Sequence, residues 1–293
     1  MVPPLAFVTR FAPSPTGLLH KGHAYSALTA FTAAKAAGGR FLLRIEDIDA
    51  TRARPAFETG IFEDLAWLGL AWETPVRRQS QHLNDYRAAL ERLRTRGLVY
   101  RCFRTRREVL DEIGRAPHGP GEGADHRVFI GGPLAPADER RRLEAGEPFA
   151  WRLSLAAARA ALGEAAWADL AFVEEGGGPG GEHGLIAARP ERAGDVVLAR
   201  KDVGVAYHLA VVVDDALQGI SHVIRGEDLH EAAHIQRLLQ ALLDLPAVVY
   251  RHHPLLRDPA GARLAKRDGA TSLRDLRAGG ISAAALRAEL GFC

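Results

Sequence analysis

The 293-residue sequence predicts an α/β fold built on a parallel sheet, with a further subdomain inserted into its middle third. Three observations carry this reading. Ala6 to Arg10 (AFVTR), a helical stretch from Gly22 to Ala37, and Phe41 to Ile45 (FLLRI) form a strand–helix–strand unit, which favours parallel strands with a right-handed crossover. Strand-like and helix-like stretches alternate again between Asp195 and Tyr250. The segment between has weaker periodicity and is broken by the loop material of Gly114 to Asp125 (GRAPHGPGEGAD) and Gly176 to Gly181 (GGGPGG).

Each element has a local reason. After the second strand, Pro55–Leu68 reads as a helix with proline in its first turn, and Leu83–Arg96 as another. Phe149–Leu155 (FAWRLSL) reads as a strand of the insertion. Asp195–Leu198, the strongly β-branched Tyr207–Val213 (YHLAVVV), His222–Arg225 and Ala247–Tyr250 read as strands, with a helix over Ala232–Leu243. Two short helices, Ser272–Ala278 and Ser282–Leu290, follow a loop. The expected division is 1–98 and 195–255 for the two halves of the parallel-sheet domain, 99–194 for the insertion, and 256–293 for a loop and terminal helices.

Composition narrows the class. Hydrophobic residues make up 47% and charged residues 25%, the balance of a globular chain. Met1 to Thr9 lacks the basic and apolar regions of a signal peptide. No apolar run reaches the roughly 18 residues of a membrane span, so a cytoplasmic protein is expected. Cys102 and Cys293 are too few for a disulfide framework or a zinc site of their own. A net charge of +2 leaves nucleic-acid contact to local patches. Of 38 basic residues only Lys21, Lys35, Lys201 and Lys266 are lysines, which singles each of them out.

The first chemical motif runs from Arg10 to His23 (RFAPSPTGLLHKGH), between the first strand and the first helix. Open α/β sheets bind ligands at the carboxyl ends of their strands, and a helix N-terminus there offers unpaired N–H groups to phosphate. Gly22 lets a ligand lie close to the backbone; His20 and His23 can face one ligand as hydrogen-bond donors. A metal pair is disfavoured because no third ligand sits nearby in the motif. A second motif, Leu264 to Ala270 (LAKRDGA), holds Lys266, whose compact ammonium can follow a phosphate as a point charge. Arg10, Glu46, Tyr207 and Arg225 stand at strand ends, where they could converge on one pocket. Taken singly, Glu46 and Arg225 read as well as ion pairs with Arg44 and Glu227.

His20-Lys21-Gly22-His23 resembles the HIGH signature of class I aminoacyl-tRNA synthetases, and the preceding RFAPSPTG resembles that of the glutamyl branch. The Lys266 loop resembles the KMSKS motif, with Arg263 and Ala265 in place of its first lysine and its serine. The resemblance implies a Rossmann-type catalytic domain with an inserted acceptor-binding subdomain. It implies glutamate bound by Arg10, Ala12, Ser14, Glu46, Tyr207 and Arg225. It also implies ATP, arriving with Mg²⁺, bound by His20, Gly22, His23 and Lys266, with His20, His23 and Lys266 serving catalysis. The short stretch after Lys266 leaves no room for an anticodon-binding domain, which implies the truncated branch of the family. Its members attach glutamate to queuosine at the wobble position of tRNA(Asp); a monomer is expected. The alternatives are charging the 3′ end of tRNA(Glu), a non-catalytic nucleotide- or RNA-binding paralogue, and a small adenylyltransferase of the HxGH type.

Many members of this branch hold zinc with Cys-x-Cys followed by Tyr-x-x-x-Cys. Here Arg104 stands two places after Cys102, and Val128 to Pro133 supplies neither tyrosine nor cysteine, so no structural zinc is expected. Arg87, Arg92, Arg94, Arg96, Arg101, Arg104, Arg106 and Arg107, with Glu139–Arg142 as a weaker case, could meet RNA or be solvated helix faces.

Overall fold

The computed structural model describes residues 6–105, 107–110, 128–200, 204–256 and 271–292. In chain order its main elements are β1 (Val8–Phe11), α1 (Lys21–Ala36), β2 (Arg40–Ile45), α2 (Pro55–Trp67), β3 (Arg77–Arg78), α3 (Leu83–Thr95) and β4 (Val99–Cys102). These are followed by α4 (Pro136–Glu144), β5 (Ala150–Leu153), α5 (Leu155–Leu162), α6 (Glu164–Ala168), β6 (Ala171–Glu174), β7 (Gly184–Ala187), β8 (Val197–Arg200) and β9 (Gly204–Val205). The last are α7 (Tyr207–Leu217), β10 (His222–Gly226), α8 (His230–Leu242), β11 (Val249–His253), α9 (Leu273–Ala278) and α10 (Ala283–Glu289). Among the described residues no helix is long and apolar enough to cross a membrane.

The strand–helix–strand unit forms as its pattern predicts. β1 and β2 pair in parallel, Val8 opposite Arg40 and Phe11 opposite Leu43, and β3 continues the sheet in parallel. Between them the chain leaves α1 through Gly38, whose φ of +60° suits glycine. Gly39 then passes so close to Phe7 that a Cβ would lie 2.2 Å from its carbonyl oxygen. α1 buries Ala24, Ala27, Leu28, Ala30, Phe31 and Ala34, and α2 buries Ile61 and Leu65 in the same core. Truncating one of these large aliphatic side chains to alanine costs about 2–5 kcal/mol.

β10, β11 and β6 form a second parallel run, closed by β7 in antiparallel pairing. The two runs meet at β1 and β10. The Ser221 amide donates to the Val8 carbonyl at 3.0 Å, and the Val8 amide donates to Ser221 Oγ at 2.8 Å. The strands therefore lie in the order β3, β2, β1, β10, β11, β6, β7, and the chain direction of winding reverses between β1 and β10. A crevice opens at such a reversal, at the carboxyl ends of both strands.

Two expectations are corrected. Tyr207–Val213 is the start of helix α7, not a strand. Its five residues Leu209 to Val213 are all buried, so both faces are apolar and the run carries no periodicity to separate helix from strand. Tertiary packing then overrides β-branched propensity. The boundary expected at 194 also cuts across the strand pairing. β8 and β9 join β4 and β5 in a separate antiparallel sheet, whereas the β6–β7 hairpin joins β11.

Candidate active site

α1 starts directly beyond the turn that follows β1, and its N-terminus is built from the two histidines. His20 is the N-cap, with extended backbone, and its Nδ1 accepts from the Gly22 amide at 3.1 Å. His23 Nδ1 accepts from the His20 amide at 3.2 Å. The ring centroids are 3.8 Å apart. Because both Nδ1 atoms accept, the neutral form of each ring carries its proton on Nε2, as a donor. The cap thus satisfies the helix end and orients two donors at once.

Arg10 leaves β1 and is buried. Its Nε donates to Asp215 Oδ1 at 3.0 Å and its Nη2 to Oδ2 at 3.3 Å. Asp215 also accepts from Arg44 Nη1 at 2.7 Å, and Arg44 Nη2 donates to Glu46 at 3.1 Å. Burial pushes the Asp215 carboxyl up, but Arg10 and Arg44 outweigh it and hold it below the usual range. At Glu46 burial wins: its carboxyl is raised, with Arg44 and Arg10 opposing in part. Asp214, the neighbour of Asp215 on α7, accepts from Arg77, Gln79 and Tyr86. The ion pair of Glu46 with Arg44 therefore exists, and Glu46 still faces the crevice.

Arg225 is the last residue but one of β10, and its partners are different. Nε donates to His252 Nε2 at 3.1 Å, Nη1 to Gln236 Oε1 at 2.9 Å and to the Tyr207 hydroxyl at 3.4 Å, and Nη2 to the Leu229 carbonyl at 2.9 Å. Its guanidinium lies 5.0 Å over the Tyr250 ring. The pairing with Glu227 read as an alternative does not form; Glu227 accepts from the Leu255 amide.

A cavity of about 730 Å³ gathers these groups at the reversal point. It is lined by Arg10, Ala12, Ser14, His20, Gly22, His23, Glu46, Tyr207 and Arg225, together with residues that the sequence reading missed, among them Thr16, Tyr25 and Asp228. Every described residue of the expected site reaches this one space. Lys266 lies outside the described residues. Of the described residues nearest to it in sequence, Leu256 lines the cavity and Ser272 is bridged to His20. A smaller cavity of about 320 Å³ shares Ser14, Glu46 and Tyr207 and extends towards Arg200 and Val205 of the antiparallel sheet.

The helix identity of the Tyr207 segment does not displace its tyrosine from the site, because Tyr207 is the first residue of α7 and points from the helix end. Asp215, Arg44, His252 and Glu174 were not legible as site residues. The acidic pair after the apolar run was the one available signal for the first of them.

Cys102 is buried and packs with Tyr100, Val109 and Phe129, and the Arg104 guanidinium lies 5.6 Å over the Phe129 ring. Much of the arginine cluster serves its own chain. Arg94 pairs with Glu91 at 2.6 Å, Arg101 with Glu139 at 2.9 Å, and Arg92 donates to the Leu243 carbonyl at 2.9 Å. Arg96 donates to the Leu242 carbonyl. Arg87 donates to Asn84, and within 139–142 Arg141 and Arg142 pair with Asp138 and Glu147. Arg106 lies outside the described residues.

A helix N-cap of paired histidines at the switch point of a parallel sheet, facing buried arginines, is the arrangement of a class I synthetase core. Residues 6–127 and 182–291 match the family model "tRNA synthetases class I (E and Q), catalytic domain", and the chain belongs to that family. It is 49% identical over 289 residues to the glutamyl-Q tRNA(Asp) synthetase of Rhodobacter capsulatus, an alignment that covers 97% of this chain and 100% of the relative. The glutamate–tRNA ligase of Prochlorococcus marinus (strain MIT 9313) is 38% identical over 291 residues, 94% of this chain and 56% of that one. In structure the chain is similar to a crystallised glutamate tRNA ligase from Elizabethkingia meningosepticum in complex with its amino acid. The TM-score is 0.68 at 28% identity, over 90% of this chain and 52% of that one.

Proposed function

We propose that this chain activates glutamate with ATP and transfers it to queuosine at the wobble position of tRNA(Asp). The observation that supports the first half is the single cavity onto which Arg10, Ser14, Glu46, Tyr207, Arg225, His20 and His23 open. The identity over the whole length of the Rhodobacter capsulatus relative supports the second.

Glutamate offers two carboxylates and an ammonium. Arg10 and Arg225 supply the cations, Glu46 the anion, and Ser14, Tyr207 and the backbone at Ala12 the neutral partners. The α-carboxylate attacks the α-phosphorus of ATP in line, pyrophosphate leaves, and glutamyl-adenylate forms. Little covalent chemistry is asked of the protein, so positioning and stabilisation of charge on the phosphoryl group supply most of the rate. His20 and His23 donate through Nε2, the positive end of the α1 dipole lies beside the phosphates where Gly22 leaves room for them, and Lys266 follows the leaving pyrophosphate. Mg²⁺ arrives with the triphosphate and offsets its charge; the cavity is lined by donors and cations more than by carboxylates, which fits a metal carried in on ATP. In the second step a hydroxyl of the acceptor attacks the acyl carbon and AMP leaves.

Pyrophosphate exchange with glutamate, glutamine or aspartate, with no RNA present, tests the first step; exchange with glutamine or aspartate equal to that with glutamate would refute it. Labelled glutamate offered with tRNA(Glu), and with tRNA(Asp) that carries or lacks queuosine, tests the acceptor. Transfer is expected only to the queuosine-bearing tRNA(Asp), and transfer to the 3′ end of tRNA(Glu) would replace that reading.

A further inference from the structure

Arg10 and Arg225 line the same cavity but are held by opposite kinds of partner. Arg10 is clamped by the Asp215 carboxylate, an anionic partner that it shares with Arg44. Arg225 makes no ion pair among the described residues. Its Nε is held by an imidazole instead, at 3.1 Å.

Hydrogen-bond directions fix the state of that imidazole. A guanidinium Nε–H can only donate, so His252 Nε2 must present a lone pair. The proton of the neutral ring then sits on Nδ1, which lies 2.5 Å from Glu174 Oε2. Glu174 is itself anchored, its Oε1 accepting from the amides of His252 at 2.8 Å and Gly176 at 2.9 Å. The row crosses three neighbouring strands, Glu174 on β6, His252 on β11 and Arg225 on β10, and Arg225 and His252 are register partners. The Tyr250 ring stacks on His252 at 5.7 Å between centroids, with the two planes nearly parallel. Both Glu174 and His252 are fully buried.

We infer that His252, oriented by Glu174, is a positioning residue that aims the Arg225 guanidinium at a substrate carboxylate while leaving its charge uncancelled. A carboxylate in the place of His252 would hold the fork equally well and compete with the substrate for its charge. A neutral acceptor does the first without the second. The inference rests on the reading of Arg225 as a glutamate-binding cation.

The same cluster has to be weighed as a metal site. Glu174, His230 and His252 offer ligand atoms within 4.8 Å of one another. His230-Glu231-Ala232-Ala233-His234 places two imidazoles one turn apart on α8, as zinc-binding helices do. The lone pairs favour the relay. In His252 the Nε2 lone pair is taken by Arg225 and Nδ1 carries a proton towards Glu174. In His234 Nδ1 accepts from the Arg189 amide at 3.1 Å, which leaves the proton on Nε2.

The test compares Arg225→Ala, His252→Ala, His252→Gln and His252→Glu by pyrophosphate exchange, with folding checked by thermal melting. His252→Ala should raise the KM for glutamate about ten-fold or more, with kcat and the KM for ATP near those of the parent. His252→Gln, whose side-chain oxygen accepts without a charge, should recover most of that loss. His252→Glu should not, because its carboxylate competes with the substrate. If His252→Ala does not fold, the glutamine and glutamate variants still decide, since equal KM values for the two would overturn the inference. An unchanged glutamate KM in Arg225→Ala would remove the underlying reading of Arg225. A loss in Arg225→Ala with none in the His252 variants would remove only the positioning role. One tightly held zinc per chain, absent from His252→Gln, would assign the cluster to a metal and overturn the inference as well.

Discussion

At the scale of single residues, what a side chain can offer a ligand depends on what already holds it. Arg10 is bound by a carboxylate and Arg225 by a neutral ring, so two arginines on one cavity present different charge. The ring also sets a pH dependence. His252 is faced by Glu174 from β6, Arg225 from β10, His230 from α8 and Tyr250 from its own strand. Burial lowers its basicity below the ordinary 6.5; Glu174 opposes this, and the Arg225 and His230 neighbours add to the fall. Because the folded-state value is depressed, the neutral ring persists at and above the ordinary histidine range and is lost as pH falls below it. Protonation takes the lone pair that Arg225 uses. The KM for glutamate should therefore stay level from neutrality to about pH 6.5 and rise on further acidification, and that rise should vanish in His252→Gln. An acid limb that persists in the glutamine variant would show that another group titrates. Lys266→Ala should lower kcat for activation strongly, by about a hundred-fold, and leave glutamate binding little changed. Equal losses in both would place Lys266 in glutamate recognition.

Among elements, α7 is the hub. Its Asp214 and Asp215 draw in Arg77 and Arg44 as well as Arg10, and so tie β1, β2 and β3 to a helix that enters from the antiparallel sheet. Removing one member of such a buried set leaves its partners' charges uncompensated, which costs more than the pair contributes. The contact of α2 with α9 shows the reverse case. Asp64 on α2 is almost fully buried, neither of its oxygens has a hydrogen-bond partner among the described residues, and Arg277 of α9 approaches only to 3.9 Å. Burial raises its carboxyl to about 6, with Arg277 and Arg274 opposing. Here the folded-state value lies above the unfolded one, so the charge destabilises the fold at pH 7, and the penalty is relieved as pH falls through about 6. Asp64→Asn should raise stability at pH 7, on the order of 1–3 kcal/mol by urea denaturation, and the difference from the parent should shrink at pH 5. A less stable variant at pH 7 would mean that the carboxylate is better compensated than this geometry indicates.

For the molecule as a whole, the question is where its many arginines act. α3 packs on α7 and on β4 and β9 of the antiparallel sheet, and Arg92 and Arg96 reach from its end to the last carbonyls of α8 at Leu243 and Leu242. Cations at a helix C-terminus complement its dipole and satisfy carbonyls that the helix leaves unpaired. Replacing both with alanine should cost on the order of 1–3 kcal/mol of stability. The affinity for tRNA at fixed salt should stay within about two-fold of the parent. A fall in affinity at unchanged stability would return these two residues to an RNA surface. The steep salt dependence that marks an RNA interface is then expected to come from cations elsewhere on the molecule.

Local sequence was enough to establish the strand–turn–helix unit and the residues it delivers, Arg10 through His23, because strand, turn and helix start are all encoded within a few neighbouring positions. It also determined that Glu46 and Arg225 stand at strand ends, since each closes a short apolar run. It could not decide that the run from Tyr207 is a helix, because a segment buried on every side has no polar face to reveal its period. Long-range packing places β8 and β9 outside the parallel sheet, clamps Arg10 with Asp215, and sets Glu174 and His252 behind Arg225. Those pairings join residues 27 to 205 positions apart in sequence, and no local preference of either partner records the other.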